Sequence, residues 1–260
     1  MRSVAIIFLS TLCLFGSVPL MAQPSEQAGT GGPPSQRALD GRVLAGEIVQ
    51  AVGGLEAWND RSWNIAFDFV MLREGKETGR ISHFWNRGSD SYIVKGTAKD
   101  GRKWEVTFTD VMKKTGSATI DGVPVPDSSR ASMLDMGYGR FINDSYWLLM
   151  PLKLLDSGVY HYREADTTIQ GTNYQVLRLS FGNVGLTPGD RYWLYVNPST
   201  KHVERWRFHL QSNREGEYQW LEYRKFGPIQ LALRRLAADG VAELRIENVQ
   251  ITRNGRPVTE

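Results

Sequence analysis

The chain has 260 residues, with 31 Lys and Arg against 28 Asp and Glu and a formal net charge of +3. Charges of both signs are interspersed without a basic block, which excludes nucleic acid as the natural partner. A single cysteine excludes an intrachain disulfide, so a hydrophobic core has to hold the fold together.

The first residues read "MRSVAIIFLSTLCLFGSVPLMAQPSEQ". Arg2 forms a positive n-region, Val4 to Gly16 a short apolar run, and Pro19 a break before Met21-Ala22-Gln23. Residues 1–22 are therefore a secretory signal peptide, cleaved near Ala22, and too short and interrupted to be a membrane span. Cys13 lies inside it and is preceded by Thr11-Leu12, not by the small residues of a lipidation site. Residues 23–39, "QPSEQAGTGGPPSQRAL", form a flexible linker. One domain is expected over residues 40–256.

That domain opens with a helix. Asp40 is its expected cap, Leu44, Ile48, Val49 and Val52 share a face, Gly53-Gly54 ends it, and "LEAW" adds a turn. At Trp63 the period changes to two: Trp63, Ile65, Phe67, Phe69 and Met71 point one way, Asn64, Ala66 and Asp68 the other. Further strands are expected at 79–86, 90–97, 103–110, 116–120, 159–163, 173–182, 190–197, 201–211, 217–226, 229–237 and 241–252. Their tight links, such as Asp121-Gly122 and Asp239-Gly240, predict antiparallel hairpins. The expected fold class is mainly β (α+β): one curved antiparallel sheet forming an incomplete barrel. Two helical segments, 40–58 and 135–155, serve as plug and lid.

Between the two halves lies "FINDSYWLLMPLKLLDSGV", residues 141–159. From Tyr146 to Leu155 the only charge is Lys153. A surface helix carries a polar face, and a membrane span needs about 20 apolar residues, so this run must be buried on every side. Asn143, Asp144 and Ser145 are expected to cap its start, Pro151 to kink it or open a new short helix, and Asp156-Ser157-Gly158 to end it.

Motifs for catalysis are sparse. His202 and His209 stand seven apart, on opposite faces of a continuous strand, and His83 and His161 read as ordinary packed or surface residues. "TGSAT" at 115–119 is not G-x-S-x-G, and "GYG" at 137–139 does not extend to a nucleotide loop. No catalytic residue, metal or cofactor is expected. What the strands do carry is aromatic residues. Phe67, Phe69, Trp85, Trp104, Phe108, Trp193 and Trp206, with Trp147 and Leu149 from the apolar run, are the candidate lining of an apolar ligand cavity. The alternative is that the same residues fill a core, as in an envelope scaffold or interaction protein; an envelope hydrolase is the third reading.

The signal peptide, the helix ending in Gly-Gly before a Trp, "FDF", "HFWN", the 141–159 stretch and "GLTPGDRYWLYVNPSTKHVERWRF" together resemble the LolA-like group of bacterial envelope proteins. The resemblance implies an incomplete antiparallel barrel with helices as a lid over a hydrophobic cavity. It also implies a periplasmic location, a lipid or lipid-anchored protein as partner, transient membrane contact and a monomer. The carriers of that group have an Arg-Pro pair in an early strand region. Here "GRISHFWNRGSDSYIV" has Arg80 and Arg87 without the proline, so their functional arginine has no counterpart to be named.

Overall fold

The computed structural model describes residues 35–182 and 189–258. The expected signal peptide with Cys13, residues 23–34 of the expected linker and the first residues of "GLTPGDRYWLYVNPSTKHVERWRF", 185–188, lie outside the described residues. Helix α1 runs Gln36–Ala51 and α2 Gly54–Asn59. Strands β1 (Trp63–Arg73), β2 (Lys76–Asn86), β3 (Ser91–Thr97), β4 (Lys103–Asp110), β5 (Thr115–Ile120) and β6 (Val123–Pro124) follow as a meander. Helix α3, Asp127–Leu149, and a 3-10 turn, Met150–Lys153, then lead to a second meander. This comprises β7 (Val159–Ile169), β8 (Thr172–Phe181), β9 (Arg191–Val196), β10 (Val203–His209), β11 (Glu215–Phe226), β12 (Ile229–Ala237) and β13 (Ala242–Arg253), with β14 (Arg256–Pro257) folded back on β13.

Among the described residues fourteen strands form one sheet, ordered β6-β5-β4-β3-β2-β1-β13-β12-β11-β10-β9-β8-β7, and that sheet does not close. The two meanders meet where β1 pairs antiparallel with β13, from Trp63↔Arg253 to Arg73↔Ala242. Helix α3 is thus the crossover from one edge of the sheet to the other. A flat sheet of thirteen strands in a row would be about 58 Å wide, whereas a 23-residue helix is only about 35 Å long. Curling the sheet into an incomplete barrel brings its edges within reach of that helix, which lies over the inner face. No helix among the described residues is long and apolar enough to cross a membrane.

The period-two reading of β1 holds from Trp63 to Phe69: Trp63, Ile65, Phe67 and Phe69 are buried with half-buried residues between them, whereas beyond them Val70 and Leu72 are buried and Met71 is half-buried, beside a register shift. The same alternation turns Ile81, His83 and Trp85 of β2, Tyr92 and Val94 of β3, and Val106 and Phe108 of β4 inward. Two helix boundaries differ from expectation. Ser35 caps α1, its hydroxyl accepting the Ala38 N–H at 3.3 Å, so the helix begins before Asp40. Helix α3 starts at Asp127 behind Pro126, which places Asn143, Asp144 and Ser145 in its interior and not at a cap. Its buried stripe is Gly137, Phe141, Asp144, Ser145, Leu148 and Leu149, which is ordinary helical spacing with two polar residues set in it. Gly137 brings the helix down onto β4, because a Cβ there would stand 2.9 Å from Val106.

The apolar run is largely buried, with Tyr146, Trp147, Lys153 and Leu155 half-buried. Leu148, Leu149, Met150, Leu152 and Leu154 are at most 1% exposed. Tyr146 meets Phe181, Tyr192 and Trp206 on the sheet, while α1 and α2 pack against the 3-10 turn. Pro151 sits in the first turn of that 3-10 segment, where it removes no needed donor. Lys153 reaches out to Asp156 at 2.7 Å, and Asp156 also accepts the Trp58 indole N–H at 3.3 Å.

Edge strand β7 is longer than expected and is covered by α1, which blunts its unpaired edge. Under this contact His161 is 6% exposed, and its Nε2 donates to the Leu154 carbonyl at 2.6 Å. Burial, with help from Arg42, lowers its pKa, although the Leu154 hydrogen bond opposes the shift. Burial likewise lowers that of His202, which stacks on Tyr223 at 4.0 Å. The unfolded chain therefore takes up protons at these sites first, so their contribution to stability is complete above about pH 6.5 and declines as pH falls below it. Urea midpoints should drop between pH 7.5 and 5.5, and His161→Gln should flatten that drop. An unchanged slope in the variant would assign the effect elsewhere.

Candidate functional site

The candidate site is the inner face of the sheet beneath α3, and the structure brings together eight of the nine residues expected there. Phe67, Phe69, Trp85 and Phe108 are buried in one cluster with Leu149, and Trp104 and Trp147 pack against it. Trp206 stacks on Trp147 with ring centroids 4.5 Å apart. Trp193 stands apart. The alternation of β9 buries Leu194 and Val196 and turns Trp193 to the opposite face, where Arg207 lies 5.6 Å from its ring. The lid is in direct contact with this surface: Phe141 of α3 meets Trp85 at 5.1 Å and Tyr92 at 4.8 Å, both edge-on.

Three polar clusters are embedded in this apolar face. In the first, His83 stacks on its cross-strand neighbour Phe67 at 4.5 Å. Its Nδ1 lies 2.6 Å from the Tyr92 hydroxyl and its Nε2 3.2 Å from Asp144 Oδ2. The latter contact is in ion-pair range but is not aligned as a hydrogen bond. The His83 and Asp144 side chains have no exposed surface. Asp144 Oδ1 accepts from Asn143 at 2.7 Å and lies 3.7 Å from Arg140. With the imidazole proton toward the carboxylate, Nδ1 accepts from Tyr92, whose own pKa is pushed up by burial and secondarily by Asp144. Sealed from solvent, this chain holds α3 to β2 and β3. His83 is thus a packed histidine with polar partners, and Asp144 is a tie to the sheet.

In the second cluster Arg87 is enclosed by Trp58 and Trp63, with its Cζ 4.4 and 3.7 Å from their ring centroids. It donates to the backbone carbonyls of Asp60, at 2.8 Å, and Trp58. Burial pulls its pKa down to about 10, so it remains charged and fastens α2 to the sheet. The third cluster is Arg235 of β12, fully buried, with its Cζ 4.2 Å over Trp220. It donates to the Trp147 carbonyl at 2.6 Å and to that of Ala232. Trp147 is in the last turn of α3, where carbonyls lack helical partners and the helix dipole favours a cation.

Among the described residues no three His, Cys, Asp or Glu side chains gather as metal ligands. One groove of about 590 Å³ is lined by Arg253, Asn254, Arg256, Pro257 and Val258 at the β13–β14 turn. Another, of about 270 Å³, touches Glu204, Arg205, Glu222 and Trp220 where β10 and β11 lie side by side. Neither collects the expected lining residues. Sequence reasoning missed His83, Tyr92, Asp144 and Arg235. The available signals were the stripe continuing from Gly137 and Phe141 through 144 to Leu148, and the inward alternation Ile229, Leu231, Leu233, Arg235.

No family model and no curated protein matches the sequence. Among solved structures the chain is similar to a DUF1329 family protein from Desulfovibrio piger. The two share 13% identity and a TM-score of 0.48 over 85% of this chain and 94% of that one. It is also similar to a LolA superfamily protein from Nitrosomonas europaea, at 11% identity and a TM-score of 0.48 over 85% of this chain and 97% of that one.

Proposed function

We propose that this is an exported envelope protein that binds the acyl chains of a lipid or lipid-anchored protein between its curved sheet and α3. The observation that supports this reading is the construction of the cover. An unclosed sheet presents an aromatic inner face, and one crossover helix lies across it. The helix is fastened at discrete polar points, Asp144 to His83 and the Trp147 carbonyl to Arg235, within otherwise non-directional apolar contact. Such a cover can lift as a unit and re-seat in one register. The ligand would take the place of α3 against Phe67, Phe69, Trp85, Trp104, Phe108 and Trp206, with Trp147 and Leu149 on the moving side. The protein would act as a monomer in the periplasm and touch the membrane only to load or unload.

A fluorescent fatty-acid analogue titrated into the purified mature protein should bind saturably. Trp147→Ala and Leu149→Ala should weaken that binding by more than they lower the melting temperature. Lys153→Gln, at the outer side of the run, should change neither. The stacking of Phe67 on His83 and of Trp147 on Trp206 favours a second reading, a scaffold whose core is filled by its own side chains. A folded wild-type protein that takes up no acyl probe would decide for the scaffold.

A further inference from the structure

Arg235 stands where the pattern of β12 calls for an apolar side chain. Its inward neighbours along the strand are Leu233 and Ala237, and directly across the ladder is Trp220. Its guanidinium is fully buried, and among the described residues it makes no ion pair with a carboxylate. Two backbone carbonyls, of Ala232 and Trp147, accept from its terminal nitrogens, and its Nε has no acceptor. The same is true of two buried indole N–H groups beside it. Trp220, under the guanidinium, and Trp206, whose ring lies 5.3 Å from that of Trp220, both have unpartnered Nε1 atoms. Three buried donors thus lack acceptors within one cluster, and one of them belongs to a cation with no carboxylate partner among the described residues. A buried donor without an acceptor costs about 1–3 kcal/mol, more when charged. A buried cation without a counter-charge is costlier still. Natural interiors avoid both. The cluster is deficient in one thing, an acceptor of negative charge.

We propose that Arg235, with the indole N–H groups of Trp206 and Trp220, recognises the oxyanion head of an acidic amphiphile, the carboxylate of a fatty acid or the phosphate of a phosphate ester. This rests on the acyl-binding reading and adds the polarity of the ligand's end. An oxyanion has several lone pairs, accepts charge-assisted hydrogen bonds from a guanidinium, and supplies the missing counter-charge. The position fits an amphiphile. Arg235 and Trp206 lie under the C-terminal turn of α3 with Trp220 beside them, and the aromatic surface from β1 to β4 offers the chain its apolar bed. Burial lowers the Arg235 pKa to about 9, so it still carries its charge at neutral pH.

The test compares hexadecanoic acid, hexadecyl phosphate, hexadecanol and inorganic phosphate on the wild-type protein and on Arg235→Met. Methionine fills the volume without a charge, and replacing an unpaired buried ion by an apolar residue is compatible with folding. A melting curve of the variant checks that it folds. Wild type should bind the acid or the phosphate ester at least about tenfold more tightly than the alcohol, the worth of a charge-assisted hydrogen bond. Arg235→Met should abolish that preference, so that it binds acid, ester and alcohol within about threefold of one another. Trp206→Phe and Trp220→Phe, which keep an aromatic ring and remove an N–H, should each reduce the preference. The relative strength of the acid and the phosphate ester assigns the head group. Equal binding of acid, ester and alcohol by wild type would overturn the oxyanion site and leave acyl binding standing. Binding of inorganic phosphate as tight as that of the ester would also overturn it. Binding of none of the amphiphiles would overturn both.

Discussion

Asp144→Ala is expected to lower stability by about 1–3 kcal/mol, a large share of what a marginally stable domain has. The carboxylate is fully buried and 3.2 Å from the His83 imidazole, which is also fully buried. Removing it leaves an imidazole in an apolar interior with one nitrogen facing a void, and it releases the middle of α3 from β2. The magnitude belongs to the breaking of the pair and says nothing of what the pair contributes intact. A triple variant separates the two. Asp144→Leu with His83→Leu and Tyr92→Phe removes the three buried members of the network together and leaves only Asn143 and Arg140, which reach solvent, so most of the lost stability should return. Urea denaturation of the wild type, single and triple variants measures both quantities. A single variant within about 1 kcal/mol of wild type would mean that Asp144 is not seated against His83.

Two glycines of α1 should respond to the same substitution in opposite directions. A Cβ on Gly41 would lie 2.8 Å from the Tyr162 nitrogen and 2.9 Å from that of Arg163, backbone atoms of β7 that cannot turn aside. A Cβ on Gly46 would meet nothing within 4 Å. In an exposed helix Gly→Ala gains about 1 kcal/mol, and Gly46→Ala should approach that gain. Gly41→Ala has to push α1 off the strand, at an overpacking cost of about 1–3 kcal/mol, and Gly41→Val should cost more. Because α1 also packs on the 3-10 turn, the Gly41 variants should loosen the cover of Leu152 and Leu154, visible as faster amide exchange there. Stabilisation by Gly41→Ala would show that α1 stands further from β7.

What could be read directly from the residues is what neighbours along the chain decide. The alternation from Trp63 to Phe69 depends on a side chain pointing opposite to the next, so it marks the inner face before any pairing is known. Hairpins such as those at Asp121-Gly122 and Asp239-Gly240 join strands that adjoin in sequence, which made the antiparallel meanders and the curved, unclosed sheet legible. The run from Tyr146 to Leu155 could be recognised as largely buried, since almost every position in it is apolar. The tertiary structure decided the rest. Pairing of β1 with β13 joins the two ends of the domain, and no local signal encodes it. Asp144 looked like a cap because Asp beside Ser and Asn favours helix ends. Only a helix extended back to Asp127, with His83 beneath it, makes the same carboxylate an internal tie. Arg235 and Trp193 follow the same logic. Alternation says that each points to one face or the other. Which face is covered, by what, and with which acceptors within reach depends on chain segments distant in sequence that only folding brings into contact.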